Sequence, residues 1–557
     1  MSNQIHIIQN AITTTISEIF RGDFRRICEV KKAVLHLEAI YFCHGTCYLL
    51  KRENMPIKDQ LALYQRIELI PQSTTEFFEN NRECIINNWP EESALAAKPE
   101  ILYDALLASE FCVQPERVGY KIDKVSRDIA GAYYTSSDFS AQITYRALES
   151  YMDRKRRRAI DSDSFACCNE YENITFLDYS CGCGEFLLAV IQYFDNHVLG
   201  YSRKKLATQL RGVDVNPIAL MITIARIVSA VEAEDDENLL REVAKNFIVG
   251  NPLLHSDKIA PLEVRFDNFA LNRLYAETEG INCLELEQQN LVVLGNPPWE
   301  KLRFEERAFF RPVCPAISAI SQKNKREKEI KKLAVNWLEL LEYYQLLQDD
   351  YASVKKEIPK HPLLKVSLVG ELNTYAMFAE LASRLTEKDG FAAIIVKSAL
   401  VTSTCYSSCF RHFVNQGSLS EVFLFDNREK LFQIDSREKF CVLFFGGEHA
   451  GGIKVHYGLT KQEQILSSVP INVTSEELEL VNPETGLLPN VADSKEFSFL
   501  LRTHRSLSVF AKEFPKCHFG RLVHLTAHAE HISTKSEKTR VPIYEGKFIE
   551  QYDNRFS

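Results

Sequence analysis

"FLDYSCGCGEFLLAV", residues 176–190, decides the fold class. Phe176 and Leu177 read as the end of a buried strand, and "EFLLAV" begins a helix. Between them lies a turn bearing Gly182 and Gly184, where the backbone can approach a ligand closely. A strand, a glycine turn and a helix in this order form the first unit of a doubly wound sheet, which binds ligands outside the carboxyl ends of its strands. Asp178 ends the strand and can orient the loop or a ligand amine. The dinucleotide fingerprint needs three glycines in a different spacing, so NAD fits poorly. Cys181 and Cys183, with Cys167 and Cys168, lack the two-to-four-residue spacing of tetrahedral zinc, and no metal is expected.

The neighbouring runs extend the pattern. "LRGVDVNPIAL" (210–220) places Asp214 at a second strand end, where a carboxylate is positioned to accept both ribose hydroxyls of a nucleoside. Val215 is placed to wall the adenine ring. "NFIVGNP" (246–252) offers Asn251 to the adenine edge. A nucleoside site without a pyrophosphate cradle points to S-adenosylmethionine. Further apolar runs, "GFAAIIVKS", "SEVFLFDN" and "FCVLFFGG", predict an α/β domain with a mainly parallel sheet.

"LVVLGNPPWEK" (291–301) is a core strand stopped by Asn296, Pro297, Pro298 and Trp299. These residue types suit an exocyclic amine. The lone pair of an adenine amine is conjugated with its ring, and two acceptors for its N–H groups hold it in line. The Asn296 oxygen and the Pro297 carbonyl can serve, with the diproline fixing the backbone. Trp299 offers a face for base stacking, worth roughly 1–3 kcal/mol. A base in a duplex reaches such a pocket only by flipping out.

The remaining features bound the organisation. A chain of 557 residues exceeds one ordinary core. Residues 1–125 show helical spacing and predict an N-terminal helical domain; 126–457 carry the α/β pattern, with a helical insertion at about 305–360; 458–557 form a weaker connector. In "LAVNWLELLEYYQLLQDDY" the apolar spacing predicts packing surface, not a site. Asp23, Glu29 and Lys31 echo a nuclease D…ExK pattern, but their short separation and helical setting weigh against that chemistry. No signal peptide or membrane-length apolar run is present, so a cytoplasmic protein without membrane contact is expected. The 15 cysteines read as reduced core residues. A net charge of −9 argues against nonspecific coating of nucleic acid. The basic run Arg154 to Arg158 is the best local patch for phosphates, and the run from Lys323 to Lys332 reads as a solvated helix face.

Taken in order, these motifs resemble the gamma-class adenine-N6 DNA methyltransferases, especially the large ones related to fused restriction–modification enzymes. "GAYYTSSDFSAQITYRAL" (131–148) resembles the motif before the cofactor loop, "DYSCGCGEFL" the loop, "GVDVNPIA" the ribose-binding strand end and "GNPPW" the catalytic motif. "GELNTYAMFAELASRL" (370–385), "GFAAIIVKSAL" (390–400) and "LFDNREKLFQIDSREKFCVLFF" (424–445) resemble later motifs, and "IYEGKFIEQYDNRF" (543–556) the approach to target recognition. The resemblance implies a Rossmann-like S-adenosylmethionine-dependent methyltransferase core. It implies that Tyr134 and Thr135 contact the methionine part of the cofactor, that Asp178, Ser180, Cys181, Gly182 and Gly184 form its loop, and that Asp214 binds the ribose. It implies that Asn296, Pro297 and Trp299 hold the flipped adenine of double-stranded DNA, with Phe440 on its other face. Tyr179 stands where the family has proline, and Asn251 where it has aspartate. Relatives continue into a target-recognition region where this sequence stops, so the expectation is either a partner chain carrying that region or a split or truncated gene. The competing readings are a non-catalytic cofactor- and DNA-binding subunit and a protein-glutamine methyltransferase, a class that is much smaller and lacks the YYT segment.

Overall fold

In a computed structural model, residues 2–96, 98–122, 135–161, 171, 173–255, 260–273, 290–386, 389–446, 451–508, 513–516 and 529–532 are described. The chain divides into two compact units, Met1–Leu501 and Arg502–Ser557. The second contributes the end of helix Ser494–Ser506 and a 3-10 turn at Ala529–His531. The segment at 543–556 lies outside the described residues.

The first unit is built on a nine-stranded sheet. Its strands, in chain order, are β3 Thr175–Asp178, β4 Leu210–Asp214, β5 Phe247–Val249, β6 Leu291–Gly295, β7 Phe391–Lys397, β8 Leu419–Asp426, β9 Lys439–Phe445, β10 Ile453–Leu459 and β11 Ile471–Val473; β1 Ser109–Gln114 and β2 Arg117–Ile122 form a separate hairpin. The spatial order is β11-β10-β8-β9-β7-β6-β3-β4-β5. From β3 the chain winds outward through β4 to β5, then returns to the other side of β3 with β6 and β7, all in parallel. The direction of winding reverses between β3 and β6, and a doubly wound sheet places its ligand crevice at such a switch point. This is the doubly wound, Rossmann-like α/β core that the glycine turn predicted, together with N-terminal helices and a helical insertion.

The sheet is mainly parallel as expected, but β11 pairs antiparallel at its edge and one interior strand is reversed. β9 lies antiparallel between β7 and β8. The link from β8 to β9 carries only the 3-10 turn Asn427–Glu429, with no helix to return the chain for a parallel pairing. Within the helical first 125 residues, Ser109–Gln114 and Arg117–Ile122 pair as a hairpin. In the insertion, the periodic "LAVNWLELLEYY" is not one helix. It breaks at Trp337, with φ −159° and ψ 75°, between helices Lys323–Asn336 and Leu338–Glu357.

Helices cover the sheet because its central strands are apolar throughout: every residue of β6 is buried, and all of β7 but its last. Helix Ser137–Asp161 packs on β7 and on helix Glu185–His197. Helix Pro217–Ala230 packs on β4 and β5 and against the N-terminal helix Ile27–Leu49, so the N-terminal helices share the core behind β4 and β5. Among the described residues no helix is long and apolar enough to cross a membrane.

Candidate functional site

Three strand ends converge at the switch point. β3 delivers Asp178, β4 delivers Asp214, and β6 delivers Gly295 and Asn296. The β3 turn is closed by backbone geometry: Gly184 precedes the helix at φ 84°, ψ 23°, a left-handed conformation that favours glycine. A Cβ there would also meet Thr223 Cγ2 at 2.8 Å.

The turn is held from both sides. The Ser180 amide donates to Asp178 Oδ1 at 3.0 Å, and the Gly182 amide to Asp214 Oδ2 at 2.9 Å. The Cys181 amide donates to the Val213 carbonyl at 3.0 Å. Thr223 Oγ1 donates to the Gly182 carbonyl at 2.7 Å, and Arg226 donates to the Cys183 carbonyl and pairs with Glu185. Asp214 Oδ1 also accepts the Asn216 amide at 2.9 Å. The Asn216 side chain caps helix Pro217–Ala230 through the Ile218 amide and donates to the Tyr103 hydroxyl. Asn251 Oδ1 accepts the Leu253 amide at 3.1 Å. Val215 stands 49% exposed beside Asp214.

Electrostatics mark this crevice. Burial, opposed by the Ser180 amide and reinforced by Asp214, pushes the Asp178 carboxyl up to about 8. Burial also raises Asp214, against the pull of the Asn216, Gly182 and Val215 amides. Two partly desolvated carboxylates at adjacent strand ends favour a cationic ligand, since a positive charge would relieve both.

On the β6 side, Asn296 Nδ2 donates to Thr135 Oγ1 at 3.1 Å. The structure therefore brings Thr135 and Asn296 together; Tyr134 lies outside the described residues. Trp299 is only 4% exposed, its Nε1 donating to the Ile395 carbonyl at 3.3 Å. Its ring meets Phe432 edge-on at 5.2 Å and Phe440 near-parallel at 6.0 Å. In this conformation the indole is a packed ring, not an open platform. Phe440 is fully buried and also stacked on Phe425 at 5.0 Å. A base cannot lie on Phe440 without displacing one of those rings. Phe432, on the loop between β8 and β9, is the aromatic that borders Trp299 from outside the strands.

Other expectations shift with the geometry. Arg154 is buried, and its guanidinium donates to the carbonyls of Asp389 at 2.6 Å, Gly390 at 2.8 Å and Gly446. Those carbonyls flank the start of β7 and the end of antiparallel β9, the sheet edge opposite the crevice. The first arginine of the basic run is thus a structural clasp, not a phosphate ligand. Glu29 forms an exposed pair with Arg26 at 2.9 Å and Lys31 lies over the Tyr343 ring, so two of the three nuclease-like residues have separate partners. Tyr103, Thr223 and Arg226 carry no signal in the sequence, whereas Phe432 and Thr374 lie inside the resembling segments 424–445 and 370–385.

No protein-family model matches the sequence, and no curated protein does. Among solved structures, the chain is similar to the DrdV–DNA complex, with TM-score 0.43 and 13% identity, covering 85% of this chain and 46% of that one. It is similar to a nuclease-deletion mutant of the Type ISP restriction–modification enzyme LlaGI with a DNA substrate mimic, at TM-score 0.41 and 13% identity over 83% and 35% of the chains. A type I restriction–modification methyltransferase subunit from Streptococcus thermophilus gives TM-score 0.33 and 11% identity over 91% and 93%. The chain spans less than half the length of the first two.

Proposed function

We propose that the chain is an S-adenosylmethionine-dependent DNA methyltransferase that modifies the exocyclic amine of adenine within a restriction–modification or phage-defence system. One observation carries this reading: Asn296 of the diproline motif, held by Thr135, stands on the strand next to the glycine turn, across the switch point of the sheet. The residues fit the cofactor. Asp214 suits ribose hydroxyls, Gly182 and Gly184 admit close approach, Val215 offers an apolar wall, and Asp178 faces the cationic amino end. When bound, S-adenosylmethionine supplies an electrophilic methyl group.

The chain's residues do the rest by positioning. With Nδ2 committed to Thr135, Asn296 presents the acceptor Oδ1 to a target amine. Pro297 supplies the second acceptor, and Trp299 with Phe432 borders the base. A flipped adenine from double-stranded DNA is the substrate, and a partner chain selects its sequence context. Incubation of DNA with methyl-labelled cofactor, followed by nucleoside analysis, tests the reading. Label in N6-methyladenine, lost in Asn296→Ala, supports it. Label in protein glutamine, or cofactor bound without transfer to any DNA, rejects it.

A further inference from the structure

The diproline motif has a physical weakness. Pro297 and Pro298 have no N–H, so neither can be anchored by its own donor. Only their carbonyls can be tied down, and one of them is the acceptor proposed for the target amine. The position of that acceptor depends on what fixes the next peptide.

Thr374 does so. It is the first residue of helix Thr374–Leu385 and is buried. Its Oγ1 lies 2.6 Å from the Pro298 carbonyl, 3.0 Å from the Glu300 carbonyl and 3.1 Å from the Glu300 amide. A threonine hydroxyl has one proton to donate and lone pairs to accept with. The Glu300 carbonyl already accepts the Thr374 amide at 3.0 Å. The hydroxyl proton therefore goes to the nearer Pro298 carbonyl, while the oxygen accepts from Glu300. Around this point 300–302 runs beside 372–374: Lys301 bridges Asn373, and the Leu302 amide donates to the Leu372 carbonyl at 2.8 Å. The helix start thus grips the catalytic motif by one hydroxyl and a short antiparallel contact.

We propose that Thr374 is a positioning residue for methyl transfer: by holding the Pro298 carbonyl it sets the plane of the diproline and hence the direction of the Pro297 carbonyl. The rings fix φ at both prolines. The Thr374 bond fixes the peptide that follows Pro298, leaving the Pro297–Pro298 unit little freedom to turn. The inference rests on the methyltransferase reading. It adds a residue that touches neither cofactor nor base.

Thr374→Val keeps shape and removes the hydroxyl; Thr374→Ser keeps the hydroxyl. In the full-length chain, with unmethylated double-stranded DNA and methyl-labelled cofactor, Thr374→Val is expected to lower kcat about ten- to a hundredfold, the scale of a misplacement near 1 Å. Cofactor Kd should stay within about twofold, because the contact lies outside the glycine turn. Thr374→Ser should recover kcat. Hydrogen exchange at the Glu300 amide should speed up in Thr374→Val and return in Thr374→Ser. An unchanged kcat with a faster-exchanging Glu300 amide overturns the inference while sparing the methyltransferase reading. So does an equal loss of cofactor affinity, or a serine variant as poor as the valine. A wild-type chain that transfers no methyl group while keeping a protected Glu300 amide overturns the reading itself, and this inference with it.

Discussion

Gly295 and Asp178 approach so closely that a Cβ on Gly295 would fall 2.7 Å from Asp178 Oδ1. The strand carrying the diproline motif and the strand carrying the glycine turn therefore share one tight point. Gly295→Ala must push the carboxylate or the strand aside. Overpacking of this kind costs roughly 1–3 kcal/mol, so cofactor affinity is expected to fall about ten- to a hundredfold. Calorimetric titration with S-adenosylmethionine checks this; wild-type affinity would separate Asp178 from the cofactor.

The raised Asp178 carboxyl gives a pH signature. Its folded value of about 8 lies above the ordinary 3.8, so the folded chain binds more protons than the unfolded chain between those values. Stability from this group is then full at low pH and declines as pH rises through that window. Glu300, pushed to about 8 by burial, acts in the same direction. Asp178→Asn should flatten the decline in melting experiments. A cation bound beside Asp178 should lower its pKa, so cofactor binding near about pH 7 should release protons, seen as a buffer-dependent binding enthalpy. Equal enthalpies in buffers of different ionisation heat would contradict this.

Asp214 and Tyr103 form a graded pair. Asp214→Ala removes a charged acceptor, worth roughly 1.5–3 kcal/mol, and should weaken cofactor binding about ten- to a hundredfold. Tyr103 acts one step back, through Asn216. Tyr103→Phe removes a neutral hydrogen bond of about 0.5–1.5 kcal/mol and should cost about two- to tenfold. If Tyr103→Phe proved worse than Asp214→Ala, the ribose would be held elsewhere.

Arg154→Ala should destabilise the fold without touching chemistry. Three main-chain carbonyls lose a charged donor, and a loss on the order of 3 kcal/mol in urea unfolding is expected. Arg156→Ala and Arg157→Ala, on the same helix toward its far end, should leave both DNA affinity and methyl transfer unchanged. A fall in DNA affinity at low salt would return this run to the phosphate-binding surface.

The contrast between Arg154 and Asn296 shows what a sequence reveals. Strand ends followed by Gly, Asp or Asn were legible because the α/β period and the turn residues are local. That is why Asp178, Asp214 and Asn296 were found together at one sheet end. Direction within the sheet was not local: β9 carries the same apolar run as β7, and only the helix-free link from β8 turns it antiparallel. Arg154 looked like surface because its neighbours are basic, but its partners lie more than two hundred residues away. Phe440 and Phe432 sit eight positions apart in one resembling segment, and only the fold shows that both rings are enclosed beside Trp299. Tyr103 and Thr374 act on strand ends from distant helices, a relation that no spacing records.

The Asn296–Thr135 contact supplies the sharpest test of the chemistry. Thr135 fixes the orientation of the Asn296 amide by accepting from Nδ2. Asn296→Ala removes the acceptor and should cut methyl transfer at least about a hundredfold, the range for loss of one preorganised polar group. Cofactor affinity should stay within about twofold, because Asn296 extends β6, while the proposed cofactor carboxylates end β3 and β4. Thr135→Val keeps the acceptor but releases the amide to rotate, and a smaller loss of about tenfold in kcat is expected. Single-turnover transfer alongside cofactor titration separates these effects. If Asn296→Ala lost cofactor affinity as steeply as transfer, the amide would belong to the cofactor pocket, and the target amine would need another acceptor.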